Sequence, residues 1–250
     1  MTLLDLTLPT PADNLAFDEA LLDAAEAGAS GEVLRFWESP QIFVVVGYAN
    51  KVATEVNVAA CQARNIPILR RCSGGGTVLQ GPGCLNYALV LRIADDQPTH
   101  SIHAANQFIM ERNREALSSV LRAPHSAVRI EGHTDLALTT HDDTRATLLK
   151  FSGNSQRRQR DFLLFHGTFL LNFNLALVSE LLPSPSLQPA YRQSRPHAEF
   201  VANLNLEAAA LRHALTKTWQ ASKPLENIPL ATLKSLVQSK YERHEWNFKF

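Results

Sequence analysis

The chain is predicted to fold as an α+β domain, a mostly antiparallel sheet covered on one side by helices. Three observations carry that prediction. Short runs of β-branched and aromatic residues outnumber helical patches in the body of the chain. Several of these runs are close enough in sequence to pair antiparallel. The helical patterns sit at the start, middle and end, and do not alternate strictly with strands as a doubly wound parallel fold requires.

The first element is "NLAFDEALLDAAEAG", where Leu15, Leu22 and Ala25, with Ala16 and Phe17 beside them, recur at helical spacing and Gly28 offers a C-terminal cap. "VLRFW" and "IFVVVG" then read as strands, and "VNVAACQARN" as a short helix leading into a strand at "IPILRR". Three consecutive glycines, Gly74–Gly76, precede the strand "CLNYALVLR". From Ser101 to Arg122 the period changes: Ile102, Ile109, Leu117, Val120 and Leu121 share one face. The longest helix is expected there, with Ser101 as N-cap and Pro124 as its stop. "AVRIEG", "TDLALTT" and "ATLLKFSG" are strands, and "HDDT" between the last two reads as a hairpin turn. "FLLFHGTFLLNF" is a further strand region, and "LALVSELL" a short helix before the proline-rich break "PSPSLQP". Helical patches at Leu206–Trp219 and Leu230–Tyr241 complete the chain. It divides on this reading into a body, 1–185, and a helical extension, 186–250, packed on the body through Leu211, Leu215, Trp219, Leu233 and Leu236.

Composition narrows the function classes. Of the 250 residues, 45% are hydrophobic and 19% charged, the ordinary balance of a globular protein. Lysine plus arginine and aspartate plus glutamate number 24 each, so no net field draws in nucleic acid or a membrane surface. No apolar run approaches the roughly 20 residues that span a bilayer. The opening "MTLLDLTLPTPADN" has no basic segment ahead of an apolar core and does not read as a signal peptide. Cys61, Cys72 and Cys84 lack CxxC spacing and cannot all pair, so a reducing cytoplasm is the expected location.

Three stretches break the pattern of plain core and surface. "RRCSGGGTVLQGPGC" sets Arg70 and Arg71 against the triple glycine, whose backbone adopts angles closed to other residues and admits close approach of a ligand. Amides of such a loop make a concave donor surface for phosphate or carboxylate, and the arginines add bidentate donors. Neither a Walker loop nor GxGxxG is present, and a glycine-rich hairpin with solvated arginines is the bland alternative. "LLKFSGNSQRR" puts Lys150 inside an apolar strand; the two-residue period sets it on one face with Leu148 and Ser152. A lone lysine there commonly faces solvent from an edge strand. In "FHGTFLLNF", His166 and Gly167 interrupt what would otherwise be continuous core, where a packed histidine is the default.

In order, "RRCSGGGTVLQGPGCLNYAL", "EGHTDLAL", "KFSGNSQRR" and "FHGTFLLNFNL" resemble the lipoate–protein ligase A family, within the wider biotin and lipoate ligase/transferase group. "NLAFDEALL", "GYANKVATEVN" and "YRQSRPHAEFVANL" add supporting matches, so the likeness runs from about residue 13 to 204. The resemblance implies a catalytic domain over 1–185 and a two-step reaction. Lipoate or octanoate attacks the α-phosphate of ATP to give acyl-adenylate and pyrophosphate. A lysine of a lipoyl-acceptor domain, from a 2-oxoacid dehydrogenase or a glycine-cleavage H-type protein, then takes the acyl group and releases AMP. By family match Lys150 bridges the acyl carboxyl oxygen and the α-phosphate. Ser73, Gly74, Gly75 and Gly76 line the acyl and phosphate pocket, Arg70 supports the carboxylate–phosphate junction, and Asn86 holds the loop-strand geometry. Asp135 lies on the adenine and metal side, while Ser152, Gly153, His166 and Gly167 belong to the adenylate pocket. Mg²⁺ would ride on the phosphates more than in a protein cage.

Other members of the group transfer octanoyl or lipoyl through a cysteine thioester without ATP. Their nucleophile positions correspond here to Leu163 and to Ala127–Thr134, neither of which supplies a cysteine. Cys72 and Cys84, flanking the glycine loop, are the remaining thiol candidates for such a route. Family ligases often carry His-Asp where this chain has "QGPGC", which bears on acyl preference. The Gly-Arg-Gly-Arg of biotin ligases does not occur. A non-catalytic adenylate-binding paralogue is the reading from a different class. Large ligases carry an extra C-terminal domain of about 100 residues; residues 190–250 are too few for it, so a separate accessory-domain protein is a possible partner.

Overall fold

A computed structural model describes residues 1–121, 127–141 and 146–250. Pro124 and the Asp142–Thr144 part of the expected hairpin lie outside the described residues. Among the described residues eleven strands form two sheets. The large sheet contains β1 (Thr2–Asp5), β2 (Val33–Trp37), β6 (Cys84–Arg92), β7 (Val128–Glu131), β8 (Asp135–His141), β9 (Ala146–Arg158), β10 (Phe162–Leu170) and the two-residue β11 (Lys223–Pro224). Their order is β11-β1-β2-β6-β10-β9-β8-β7; the pairings from β2 to β7 are antiparallel, whereas β1 runs parallel to both β2 and β11. A small sheet, β4-β3-β5, is made of β3 (Phe43–Val46), β4 (Ile68–Arg70) and β5 (Val78–Gln80). It carries the glycine loop between β4 and β5.

The helices are α1 (Pro11–Glu26), α2 (Val52–Glu55), α3 (Val58–Ala63), α4 (Ile102–Leu121), α5 (Ala176–Leu181), α6 (His197–Phe200), α7 (Ala208–Thr218), α8 (Leu230–Leu236) and α9 (His244–Asn247). The first starts three residues earlier than the apolar spacing marks, because Thr10 caps it by accepting from the Asp13 amide and Pro11 is preset for the first turn. Gly28 follows its end at φ +74°, as the cap reading requires.

The large sheet is covered on both faces, not one. Leu85, Tyr87, Leu89, Phe165, Phe169 and Phe151 pack with Ile109, Leu117, Leu211, Leu215 and Trp219 of α4 and the α7 region. Ala88, Val90 and Leu164 point the other way, onto Leu15, Phe17 and Leu21 of α1 and Leu233 of α8. That strict alternation along β6 and β10 is the pleat of a sheet buried twice, so these strands read as continuous apolar runs. Residues 186–250 share in both cores and add β11 to the edge of the sheet. Among the described residues, no helix is long and apolar enough to cross a membrane.

Candidate active site

Strand register collects the site on the α1 face. One row across the sheet is Arg35, Ala88, His166 and Ser155; the next is Trp37, Asn86, Thr168, Gly153 and Asp135. Pairing partners point to the same side, so the polar residues of five strands meet on one surface although they are far apart in sequence. Lys150 joins them through a bulge. The register shifts between the pairs Leu136–Ser152 and Ala137–Lys150, so Phe151 is an extra residue on β9. This overturns the two-residue parity read from the sequence: Lys150 lies over Gly153, whose added Cβ would sit 3.1 Å from the Lys150 ammonium, and not on the side of Ser152.

The Lys150 Nζ is 2.7 Å from Asp135 Oδ1, and the Tyr191 hydroxyl donates to Asp135 Oδ2 at 2.9 Å. Burial, and then the neighbouring Asp135, push the Tyr191 pKa up, so this hydroxyl stays a neutral donor. Both carboxylate oxygens are thereby engaged. No cluster of three metal-ligating side chains occurs among the described residues. With both oxygens of Asp135 engaged, the residues present do not fit a protein-held Mg²⁺ there.

The glycine loop roofs this surface. Arg71 donates to the carbonyls of Gly74 (2.6 Å) and Gly76 (2.7 Å), Ser155 Oγ donates to Gly74 O, and the Tyr48 amide donates to Ser73 O. Burial lowers the Arg71 pKa to about 10, which leaves it charged at neutral pH. Among the described residues, the amides of Ser73, Gly74, Gly75 and Gly76 have no acceptor. Carbonyls tied down and amides left open are the electrostatics of an anion nest. Gly75 has φ +83°, and an added Cβ would come within 2.9 Å of Arg71 Nη2, so the position needs glycine twice over.

Arg70 departs from its expected role. Its guanidinium is buried, with donors spent on the carbonyls of Gly47, Tyr48, Asn50, Trp246 and Asn247. It braces the segment behind the loop, and Arg71 is the arginine that meets the glycines. Ser152 and Gly167 differ as well. They register with Leu136 and Tyr87 on the α4 face, where an added Gly167 Cβ would fall 1.7 Å from Asn154 Oδ1. Gly167 makes room for Asn154, which accepts from Tyr87 and donates to Thr134 O. Asn86 sits in the site row, accepts from Thr168 Oγ1 at 2.6 Å, and keeps a buried Nδ2 without a partner.

His166 lies at the centre of a buried chain. Its Nε2 is 2.6 Å from Ser73 Oγ and its Nδ1 3.0 Å from Asp18 Oδ2, while Asp18 Oδ1 is 2.6 Å from Arg35. Asp18 and Arg35 were not singled out from sequence; both sit within apolar periods, and only their mutual burial marks them. An open groove of about 630 Å³ outside α4, lined by Pro98, Phe108 and Arg112 among others, holds none of these residues.

Cys72 and Cys84 are buried, and burial pushes each thiol up to about 12. Cys72 turns toward α1 and α8 and Cys84 toward the small sheet and α5, both inside apolar clusters.

The family model of the lipoyl protein ligase A/B catalytic domain matches residues 10–220. Octanoyltransferase LipM of Geobacillus kaustophilus is 27% identical over 273 aligned residues, covering 96% of this chain and 94% of that protein. Lipoate–protein ligase 1 of Staphylococcus aureus is 27% identical, covering 95% and 70%. The bi-partite lipoate protein ligase of Thermoplasma acidophilum has a similar structure, with TM-score 0.79, 22% identity and coverage of 99% and 95%. A lipoate–protein ligase A bound with ATP gives 0.74 at 23% identity, covering 99% and 98%. At those identities the solved structures speak for the fold alone. The chain belongs to the lipoyl protein ligase A/B catalytic-domain family and is an enzyme of its ligase and transferase group.

Proposed function

We propose that this enzyme is a lipoate–protein ligase: it activates lipoate or octanoate with ATP to the acyl-adenylate and passes the acyl group to a lysine of a lipoyl-acceptor domain. The observation that carries the reading is the open amide nest of Ser73–Gly76, set over the same sheet face as the Lys150 ammonium. Adenylate formation brings a carboxylate and a triphosphate together, so fixed donors aimed at the developing charge do most of the catalytic work. Lys150 would leave Asp135 for the carboxyl and α-phosphate oxygens, while Tyr191 keeps the freed carboxylate oriented. The lipoate–protein ligase named in Staphylococcus aureus supports the substrate class. The lipoyl-domain acceptor and a separate accessory-domain protein as partner belong to the same proposal.

The octanoyltransferase name of the Geobacillus relative favours a second reading, ATP-independent transfer. Through a thioester it would need a thiolate, and two deeply buried thiols pushed to about 12 are poor sources of one. The test is ATP–pyrophosphate exchange in the presence of lipoate. Wild-type protein should exchange, and Lys150→Ala should lose about 10²–10³-fold, the cost of one preorganised charge-stabilising donor. Absence of exchange in the wild type, with acyl transfer persisting without ATP, would replace the ligase by the transferase.

A further inference from the structure

We propose that the chain Ser73–His166–Asp18 takes up the proton released when the acceptor lysine forms its amide. The inference rests on the acyl-adenylate reading above and assigns the second half-reaction a base. That step needs one. The free amine attacks the acyl carbon, the N–C bond forms, and the C–O bond to AMP breaks with its electron pair leaving on the phosphate. One N–H proton must depart. Lys150 is a cation and has none to accept, and both oxygens of Asp135 are engaged by Lys150 and Tyr191.

The geometry fixes how the relay is wired. The Asp18 carboxylate only accepts, so His166 Nδ1 carries a hydrogen toward Oδ2 at 3.0 Å. In the proposed relay Nε2 is the acceptor, and Ser73 Oγ–H donates to it at 2.6 Å. Among the described residues Ser73 Oγ has no other hydrogen-bond partner, which leaves a lone pair for an N–H of the incoming amine, and it stands at the head of the amide nest. As the amide forms, Ser73 takes the amine proton and gives its own to His166 Nε2. The charged group against His166 is Asp18 of α1, which is itself paired with Arg35 of β2; the loop brings the Ser73 hydroxyl. Arg35 and Asp18 cancel at rest, so proton uptake leaves one net positive charge in a buried place. A phosphate anion in the neighbouring nest offsets it, which confines the relay to the moment the adenylate is bound. Ser73 and His166 are 1% and 7% exposed, so the relay is sheltered from bulk water and the amine must reach Ser73 from the site surface beneath the loop.

The test separates the half-reactions. Transfer from synthetic lipoyl-adenylate to a lipoyl domain is followed in single turnovers across pH, beside ATP–pyrophosphate exchange. Starting from the synthetic adenylate makes the result independent of whether the wild type makes adenylate itself. His166→Gln should slow transfer by about 10²–10⁴-fold more than it slows exchange, and lose the pH inflection of the wild-type transfer rate. Ser73→Ala, which leaves the anchor of the loop smaller but unstrained, should show the same split. Equal losses in both half-reactions of both variants would reduce the chain to a loop anchor. Unchanged transfer in either variant, or an unchanged pH profile in His166→Gln, would overturn the relay.

Discussion

Gly47→Ala tests the roof of the site without touching any group that reacts. Gly47 lies between two obligations. Its carbonyl accepts from Arg70, and its Cα faces the glycine loop so closely that an added Cβ would be 2.0 Å from Gly75 O, 3.0 Å from Gly75 C and 3.3 Å from Gly74 O. Real Cβ contacts stay above 3.0 Å, so the Gly75 carbonyl must retreat by at least about 1 Å. Gly47 does not occupy the left-handed region, so alanine brings no strain of its own. The retreat pulls on the bonds that hold the loop: Arg71 to Gly74 and Gly76, Ser155 to Gly74, and Tyr48 to Ser73. Losing one or two of these costs about 1–3 kcal/mol, well below what unfolds a domain of this size. A 1 Å displacement of a positioning element is worth about 10²-fold in rate. The expected result is a fold intact by circular dichroism, a melting temperature lowered by a few degrees, and a kcat/KM for lipoate-dependent exchange reduced about 100-fold. Wild-type kinetics in Gly47→Ala would mean that the nest does not hold the reacting anion.

The Cys72→Ser, Cys84→Ser double variant should retain ATP-dependent modification of a lipoyl domain; complete loss of transfer, together with ATP-free transfer by the wild type, would restore a thiol mechanism. The same thiols set an alkaline limit. Their folded pKa values, about 12, lie above the ordinary 9.0, so their contribution is full below about pH 9 and is lost as pH rises toward 12, at about 1.4 kcal/mol per pH unit for each. Urea titrations between pH 8 and 11 should show a shallower fall in the double variant; parallel slopes would contradict the burial of these groups. Arg35→Met should cost about 3–5 kcal/mol by leaving the Asp18 carboxylate buried and uncompensated. Adding Asp18→Asn should recover part of it, and strictly additive losses in the double variant would show that the pair is not coupled.

Strands β3, β6 and β10 were legible as unbroken apolar or β-branched runs, and helix α4 by its helical period over 20 residues. The order of motifs pointed to one glycine loop, one lysine and one histidine; the sheet register gathers the last two, and hydrogen bonds from His166 and Ser155 bring the loop to them. Other features escaped for physical reasons. Parallel pairing of β1 with β2 leaves no local trace, since the partners are joined by a whole helix and no turn specifies them. The bulge at Phe151 is one unpaired residue in an apolar run, and that single residue reverses which neighbour Lys150 shares a face with. Arg70 and Arg71 are indistinguishable as adjacent letters; alternate directions along the chain send one into the carbonyls of residues 47–50 and 246–247 and the other into the glycine loop. Asp18 looks like a helix-surface charge until Arg35 is placed opposite it.

The Arg70 contacts with Trp246 and Asn247 have a consequence for how the protein is made. Those partners are separated by 176 and 177 positions. At ribosomal speeds of about 5–20 residues per second, the tail that braces the loop emerges on the order of 10–35 s after Arg70 itself. The body of the sheet has that interval in which to assemble, while the segment behind the loop waits with its carbonyls unbraced. A product stopped short of Trp246 would lack the brace that sets the loop, however much of the sheet it had assembled.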